Sequence, residues 1–135
     1  MLRFELTVRG ANAVANRWRA AAAQAGPEIQ EAAFRWAQGT RAALKSTPYP
    51  AKRPGQRYVR TGRLASSWAA ERRGGGDAVI RNSAGYAGYV VGNSQGEGQA
   101  WMHRGRWWTA RDVIQGERPK LRAAIIAQVN RLLDA

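Results

Sequence analysis

The chain has 135 residues, no cysteine and a formal net charge of +13, from 22 basic and 9 acidic side chains. This length fits one domain with a modest core, and the lack of cysteine excludes disulfides, thiol nucleophiles and thiolate metal sites. The charge favours nucleic acid, an acidic protein or an anionic membrane as partner. Membrane binding ranks last, because no apolar run approaches the ~20 residues of a membrane span and no basic amphipathic helix with a bulky apolar face is evident.

The first predicted element is a strand. Leu2, Phe4, Leu6 and Val8 alternate with polar residues until Gly10, a spacing typical of a strand with one buried face. The same alternation differs from the continuous apolar core of a signal peptide, so we expect no cleaved export signal.

A long helical segment follows the strand. Asn12 offers an N-cap for a helix over residues 13–24, and Gly26 and Pro27 then interrupt the pattern. Two helices or one kinked helix both fit, since proline is favourable at a first helical position. From Ile29 onward apolar residues recur with a period close to 3.6 and predict one buried helix face. The later positions of that face are Ala33, Trp36, Ala37, Thr40 and Leu44.

Residues 47–60, here called the basic arm, have no packing pattern of their own. Prolines at positions 48, 50 and 54 remove backbone donors and disfavour both a helix and a central strand. We therefore expect an exposed, extended projection.

The chain is expected to return to the core directly after the arm. Thr61 is suited to cap a short helix that presents Leu64 and Trp68 on one face. Residues 69–73 and 78–82 then predict two strands joined by a Gly-Gly-Gly-Asp turn, and this hairpin is expected to pair with the first strand.

Two aromatic segments come next. Tyr86, Tyr89 and Val90 lie at offsets of three and four, which predicts a short helix or turn that packs on the sheet. Residues 93–109, here called the tryptophan loop, contain three tryptophans and one methionine within eight residues. Such a cluster is expected to be buried against another surface.

A final helix completes the predicted fold. Thr109 is a candidate N-cap, and Gly116 and Pro119 are expected to kink or split the helix. Its apolar stripe comprises Val113, Leu121, Ile125, Val129, Leu132 and Leu133. The elements together predict one α+β domain over residues 1–135, with a small, mainly antiparallel sheet packed against a long N-terminal helical segment and a C-terminal helix.

The residues that enzymes use are scarce in this chain. His103 is the only histidine, so no two-histidine metal site can form, and the acidic residues are scattered along the sequence. The glycines at 74–76 lack the Gly-Lys-Ser/Thr context of a phosphate-binding loop. We predict a protein that is not an enzyme, with no catalytic residue, metal or cofactor.

Two sets of residues are therefore candidates for binding rather than catalysis. The basic set is suited to follow a phosphate backbone or to dock on an acidic protein, and a solvated loop without a partner is the remaining reading. It comprises Lys45, Lys52, Arg53, Arg57, Arg60 and Arg63. For the aromatic set, packing within or between subunits is favoured over base stacking. It comprises Tyr49, Tyr58, Trp101, Trp107 and Trp108.

Four short segments in order resemble one family of proteins. Tyr49–Gly55 reads Tyr-Pro-x-Lys-Arg-Pro-Gly, Arg60–Leu64 reads Arg-Thr-Gly-x-Leu, Asn82–Val90 reads Asn-x-x-x-Tyr-Ala-x-Tyr-Val, and His103–Thr109 reads His-x-x-Arg-Trp-x-Thr. Together they resemble the tail-completion or neck proteins at the head-to-tail junction of tailed bacteriophages. The alanine-rich helix around residues 20–23 departs from the family pattern.

The resemblance implies a structural virion protein of α+β fold, assembled in the host cytoplasm into a homo-oligomeric ring around the DNA channel. A hexamer is the first choice and a dodecamer the second. The implied neighbours are the connector, stopper and tail-terminator proteins, with non-specific contact to genomic DNA and no membrane. The alternative that charge alone supports is a small basic nucleic-acid-binding protein.

Overall fold

Three strands and four α-helices occupy residues 4–10, 19–55 and 61–133, the parts of the chain that the computed structural model describes. In chain order they are β1 (Phe4–Val8), α1 (Arg19–Ser46), α2 (Arg63–Ser66), β2 (Trp68–Arg73), β3 (Asp77–Asn82), α3 (Ala87–Val91) and α4 (Ala110–Leu133). The predicted α+β class is confirmed. Asn12 and part of the predicted first helix lie outside the described residues.

The strands form one antiparallel sheet in the order β1-β3-β2. Leu6 lies opposite Ile80 across β1 and β3, and the β2–β3 hairpin closes with Arg73 opposite Asp77. The three glycines between these strands form a 3₁₀ turn, in which Gly76 has φ +83°. Only glycine adopts this left-handed conformation without strain, which explains its place at the end of a three-residue hairpin loop.

The two faces of the sheet differ in chemistry. Phe4, Ile80 and Trp68 belong to the buried core, where the Phe4 and Trp68 rings meet edge to face at 5.0 Å. The opposite face carries two exposed ion pairs, Arg73 with Glu5 and Arg81 with Glu71. The hairpin and its pairing with the first strand are as predicted.

Helix α1 packs on the core face and runs without a break through Pro27. The structure thus selects one helix from the two readings of this segment. A proline inside a helix costs roughly 3 kcal/mol, and the buried face that follows offsets that cost. All six positions of the predicted face are buried: Ile29, Ala33, Trp36, Ala37, Thr40 and Leu44.

Helix α4 packs against α1 and also continues through its proline, so of the predicted kink or split at Gly116 and Pro119 the split does not occur. The indole Nε1 of Trp36 donates a hydrogen bond of 2.7 Å to the carbonyl of Glu117, two residues before Pro119. This contact ties α1 to α4 at the point where the sequence predicted a break. Thr109 Oγ1 accepts from the Asp112 amide at 3.2 Å, as expected of an N-cap.

The short helices depart from the predictions in detail. The N-cap position of α2 is Gly62, with φ +74°, rather than Thr61. Thr61 Oγ1 still accepts from the Arg63 amide at 3.3 Å, so it satisfies one donor of that first turn.

Helix α3 forms where expected. Ala87, Gly88 and Val91 are buried, whereas Tyr86 and Tyr89 are 41% and 47% exposed. The helix thus packs on the core through small residues, and the two tyrosines whose spacing indicated the helix lie on its outer side. Small residues allow the helix to approach the core closely, and this leaves the large rings on the outside.

Candidate functional site

The described part of the basic arm is bound to the tryptophan loop by hydrogen bonds to its backbone. The Trp108 indole Nε1 donates to the Pro48 carbonyl at 3.1 Å, and the Arg106 guanidinium donates to the Ala51 carbonyl at 2.7 Å. Proline-rich backbone has few donors but retains its carbonyls, and these are the groups that the loop engages. Residues 51–55 are exposed.

Tyr49 joins the base of the arm to both α2 and the tryptophan loop. Its hydroxyl accepts a 2.8 Å hydrogen bond from the Ala65 amide in α2, and its ring lies 5.2 Å from the Trp107 ring. The Trp107 ring in turn lies 6.4 Å from that of Trp108 and 6.0 Å from that of His103. The base of the arm is thus a packed aromatic cluster.

Hydrogen bonds within the tryptophan loop hold its shape. Buried Gln99 donates through Nε2 to the carbonyl of Val90 at 2.8 Å and lies 3.3 Å from that of Trp107. Asn93 Oδ1 accepts from the amides of Gln95 and Glu97 at 3.0 and 2.9 Å. Side-chain acceptors of this kind stabilise irregular backbone in place of helix or sheet.

His103 lies where the arm and the loop meet. Burial lowers its pKa below the ordinary value of 6.5, and the positive charges of Arg106 and Arg53 lower the pKa further. One of these arginines belongs to the loop and the other to the arm, so two cations from distant segments lie near one imidazole. An approaching anion would therefore meet concentrated positive charge here.

The structure places the predicted basic residues at the surface, to the extent that it describes them. Lys45 lies in the last turn of α1, Lys52 and Arg53 in the arm, and Arg63 at the start of α2, and all four are exposed. Arg57 and Arg60 lie outside the described residues, as does Tyr58.

The predicted aromatic residues divide into two groups. Tyr49, Trp107 and Trp108 are half-buried in contacts within the chain, whereas Trp101 is 78% exposed. Trp101 and its exposed neighbour Met102 are not covered by the described chain, so their burial against another subunit stays a prediction. Backbone hydrogen bonds fix the loop on both sides of Trp101. The Ala100 amide donates to the Tyr89 carbonyl, and the His103 amide donates to the Ala100 carbonyl.

Sequence reasoning missed two residues that organise this site. Arg106 binds a carbonyl 55 positions away in the sequence, and Gln99 connects three backbone carbonyls of the loop and α3. Arg106 did appear within the His-x-x-Arg-Trp-x-Thr pattern, but nothing local to Gln99 distinguishes it from a solvated glutamine.

Within the described residues, no three His, Asp or Glu side chains converge as a metal ion requires. None of the helices found in these parts of the chain has the length and apolar character needed to cross a membrane. No protein-family model, curated protein or solved structure gives a significant match to the chain.

Proposed function

We propose that the protein is a structural subunit of the head-to-tail junction of a tailed bacteriophage, assembled as a ring through which the genome passes. The proposal starts from the four sequence segments that resemble neck and tail-completion proteins. A ring of six subunits is our first choice and a ring of twelve our second. The proposed neighbours are the connector, stopper and tail-terminator proteins.

The observation that carries the proposal is that the four resembling segments meet in pairs, the first with the fourth and the second with the third, and that Tyr49 links the two pairs through Ala65. Tyr49 of the first segment packs on Trp107 of the fourth and accepts from the amide of Ala65, adjacent to the second. Asn82, which begins the third, donates through Nδ2 to the carbonyl of Leu64, the end of the second, at 2.8 Å. Segments that are separate in sequence thus form one structural unit, which supports reading them together rather than as four chance matches.

The charge distribution supports a position beside DNA. The exposed cations of the arm and the pair Arg53 and Arg106 around His103 provide a sequence-independent attraction for phosphates. In a ring of +13 subunits, mutual repulsion is relieved where basic residues face DNA or acidic neighbours.

The deciding experiment locates the protein in particles. We expect it in purified virions, as a ring at the neck in electron cryomicroscopy, and we expect particles that lack it to accumulate unjoined heads and tails. Absence from virions, or complete joining without it, would refute the proposal.

The second candidate function is a free nucleic-acid-binding protein, favoured by the convergence of arm and loop cations near His103. Its measurement is affinity for random-sequence duplex across a salt series, and no binding even at low salt removes this candidate. The single histidine also reports the site of contact in proton NMR. A phosphate close to Arg53 and Arg106 would offset their charges and raise the pKa of His103, whereas contact elsewhere leaves it unchanged.

A further inference from the structure

A groove of about 940 Å³ lies between β1 and helix α4, and none of the described residues of the basic arm lines it. Leu6 and Val8 line it from the strand, and Leu121, Ile125 and Ile126 line it from the helix. None of these five is fully buried, and Ile126 is 48% exposed. The stripe of α4 that predicted core packing is thus only partly covered by the described chain.

The strand beside this groove is an edge of the sheet. Among the described strands, β1 pairs with β3 alone. Along an edge strand, alternate amide and carbonyl groups point away from the sheet and are available to another extended chain. A peptide paired there would direct every second side chain toward the groove.

The charges around the groove have one sign. Arg9, Arg118 and Arg122 line it together with the apolar residues, and none of the described residues that line it is acidic. An apolar strand flanked by carboxylates matches this surface in both hydrophobicity and charge.

We propose that the groove binds an extended segment of a different protein as a fourth strand paired with β1, with apolar residues at the alternate positions that face the groove and Asp or Glu at its ends. The apolar side chains of the segment would contact α4, and its carboxylates would contact the three arginines. This proposal concerns another face of the molecule and does not rest on the proposed neck function.

Charge argues against a second copy of the chain as occupant. The chain carries +13, and four of its nine acidic residues already form ion pairs with its own cations. Those four are Glu5, Glu31, Glu71 and Glu117. A second copy would bring like charge to the arginines, whereas an acidic segment neutralises them.

The test selects binders from a ribosome-displayed library of random nine-residue peptides on the full chain. We expect the enriched peptides to carry apolar residues at alternate positions and Asp or Glu at their ends. Fluorescence anisotropy then compares two charge reversals on the same helix, Arg122→Glu inside the groove and Arg131→Glu, an exposed position outside it. We expect the first to weaken binding by about tenfold or more and the second to change it less than about twofold.

Three results would overturn the proposal: no enriched peptide, enriched peptides without acidic residues, or equal effects of the two reversals. Ile126→Ser provides a second variant without charge change, and we expect it to weaken binding of the same peptides. Sedimentation velocity of the protein alone tests the other possible occupant of the groove, a second copy of the chain. If Ile126→Ser dissociates a homo-oligomer, the groove holds a second copy and the proposal is wrong.

Discussion

Tyr49 shows how a single hydroxyl orders a proline-rich segment. Prolines prevent the base of the arm from forming a helix or strand, so its position depends on side-chain contacts made by a few residues. The Tyr49 hydroxyl supplies one such contact by accepting from the amide of Ala65, and the ring supplies another by packing on Trp107. The described base of the arm is therefore part of the folded domain.

Replacing Tyr49 by phenylalanine tests this contribution. The change leaves the ring in place and removes the acceptor of a half-buried amide, so we expect a loss of about 1 kcal/mol in the free energy of unfolding. Urea denaturation followed by circular dichroism measures it. Tyr86→Phe is the matched control, because that ring is exposed; equal effects of the two changes would contradict the assignment.

His103 provides a second prediction at the residue scale, in the pH dependence of stability. Burial and the two arginines lower its pKa in the folded state below 6.5. Between pH 6.5 and the lower pKa of the folded state, His103 binds a proton in the unfolded chain but not in the folded chain. Stability from this group is therefore full above pH 6.5 and falls as the pH drops through that window.

Urea unfolding at intervals from pH 7.5 to 5 measures this effect. We expect the His103→Gln variant to lose the decline that begins near pH 6.5 and to keep the decline due to carboxylates at lower pH. Parallel stability curves for the two proteins would show that His103 is not perturbed.

The elements that carry the candidate site are irregular, and their rigidity comes from hydrogen bonds between distant segments. The arm is held through its carbonyls by Trp108 and Arg106, and the tryptophan loop is held by Gln99. Lys52 and Arg53 follow Ala51 in the arm and are exposed. The arm thus combines a fixed base with surface charges.

Replacing Lys52 and Arg53 together by alanine tests the role of the arm. If both contact phosphates, the salt dependence of duplex binding should weaken by about 0.9 in log-log slope for each charge removed. We expect little change in the urea midpoint, since both side chains are exposed. The control is Arg35→Ala with Arg131→Ala, which removes equal charge from exposed helical positions; equal loss of slope there would show diffuse attraction rather than an arm contact.

The whole molecule presents two surfaces of different chemistry. One contains the basic arm and the outward Trp101, and the other is the apolar groove rimmed by arginines beside β1. An exposed tryptophan on a loop fixed by hydrogen bonds loses little conformational freedom on binding, so Trp101 is well suited as an interface anchor.

Trp101→Ala tests this assignment. We expect the free energy of unfolding to change by less than about 0.5 kcal/mol, because the ring is exposed in the single chain. If the chain forms the proposed ring, native mass spectrometry at the same protein concentration should show a clear loss of rings, since anchor residues contribute about 2 kcal/mol or more at an interface. Ile126→Ala, in the groove, is expected to leave ring formation intact. An unchanged ring population with Trp101→Ala would place the interface elsewhere.

Periodicity in the sequence predicted much of the fold. The alternation from Phe4 to Val8, the buried stripe of α1 and the glycine turn of the hairpin all agree with the structure, because each depends on spacing within one element. The cap at Thr109 succeeds for the same reason. These features require only that each segment turn its apolar side toward some core.

Contacts between elements were decided only by the tertiary structure. Helix continuity at Pro27 and Pro119, the outward rings of Tyr86 and Tyr89, and the partly open stripe of α4 depend on what packs against each segment. The local sequence shows that a proline destabilises the helix, but it does not show the burial that offsets this cost.

The candidate site divides in the same way. Composition alone identified the arm as basic and the loop as aromatic, since charge and residue type are properties of the chain itself. Only the fold shows that Tyr49 contacts Trp107 and that Arg106 binds the Ala51 carbonyl, because these pairs join positions tens of residues apart. The outward position of Trp101 likewise depends on the path of the whole chain.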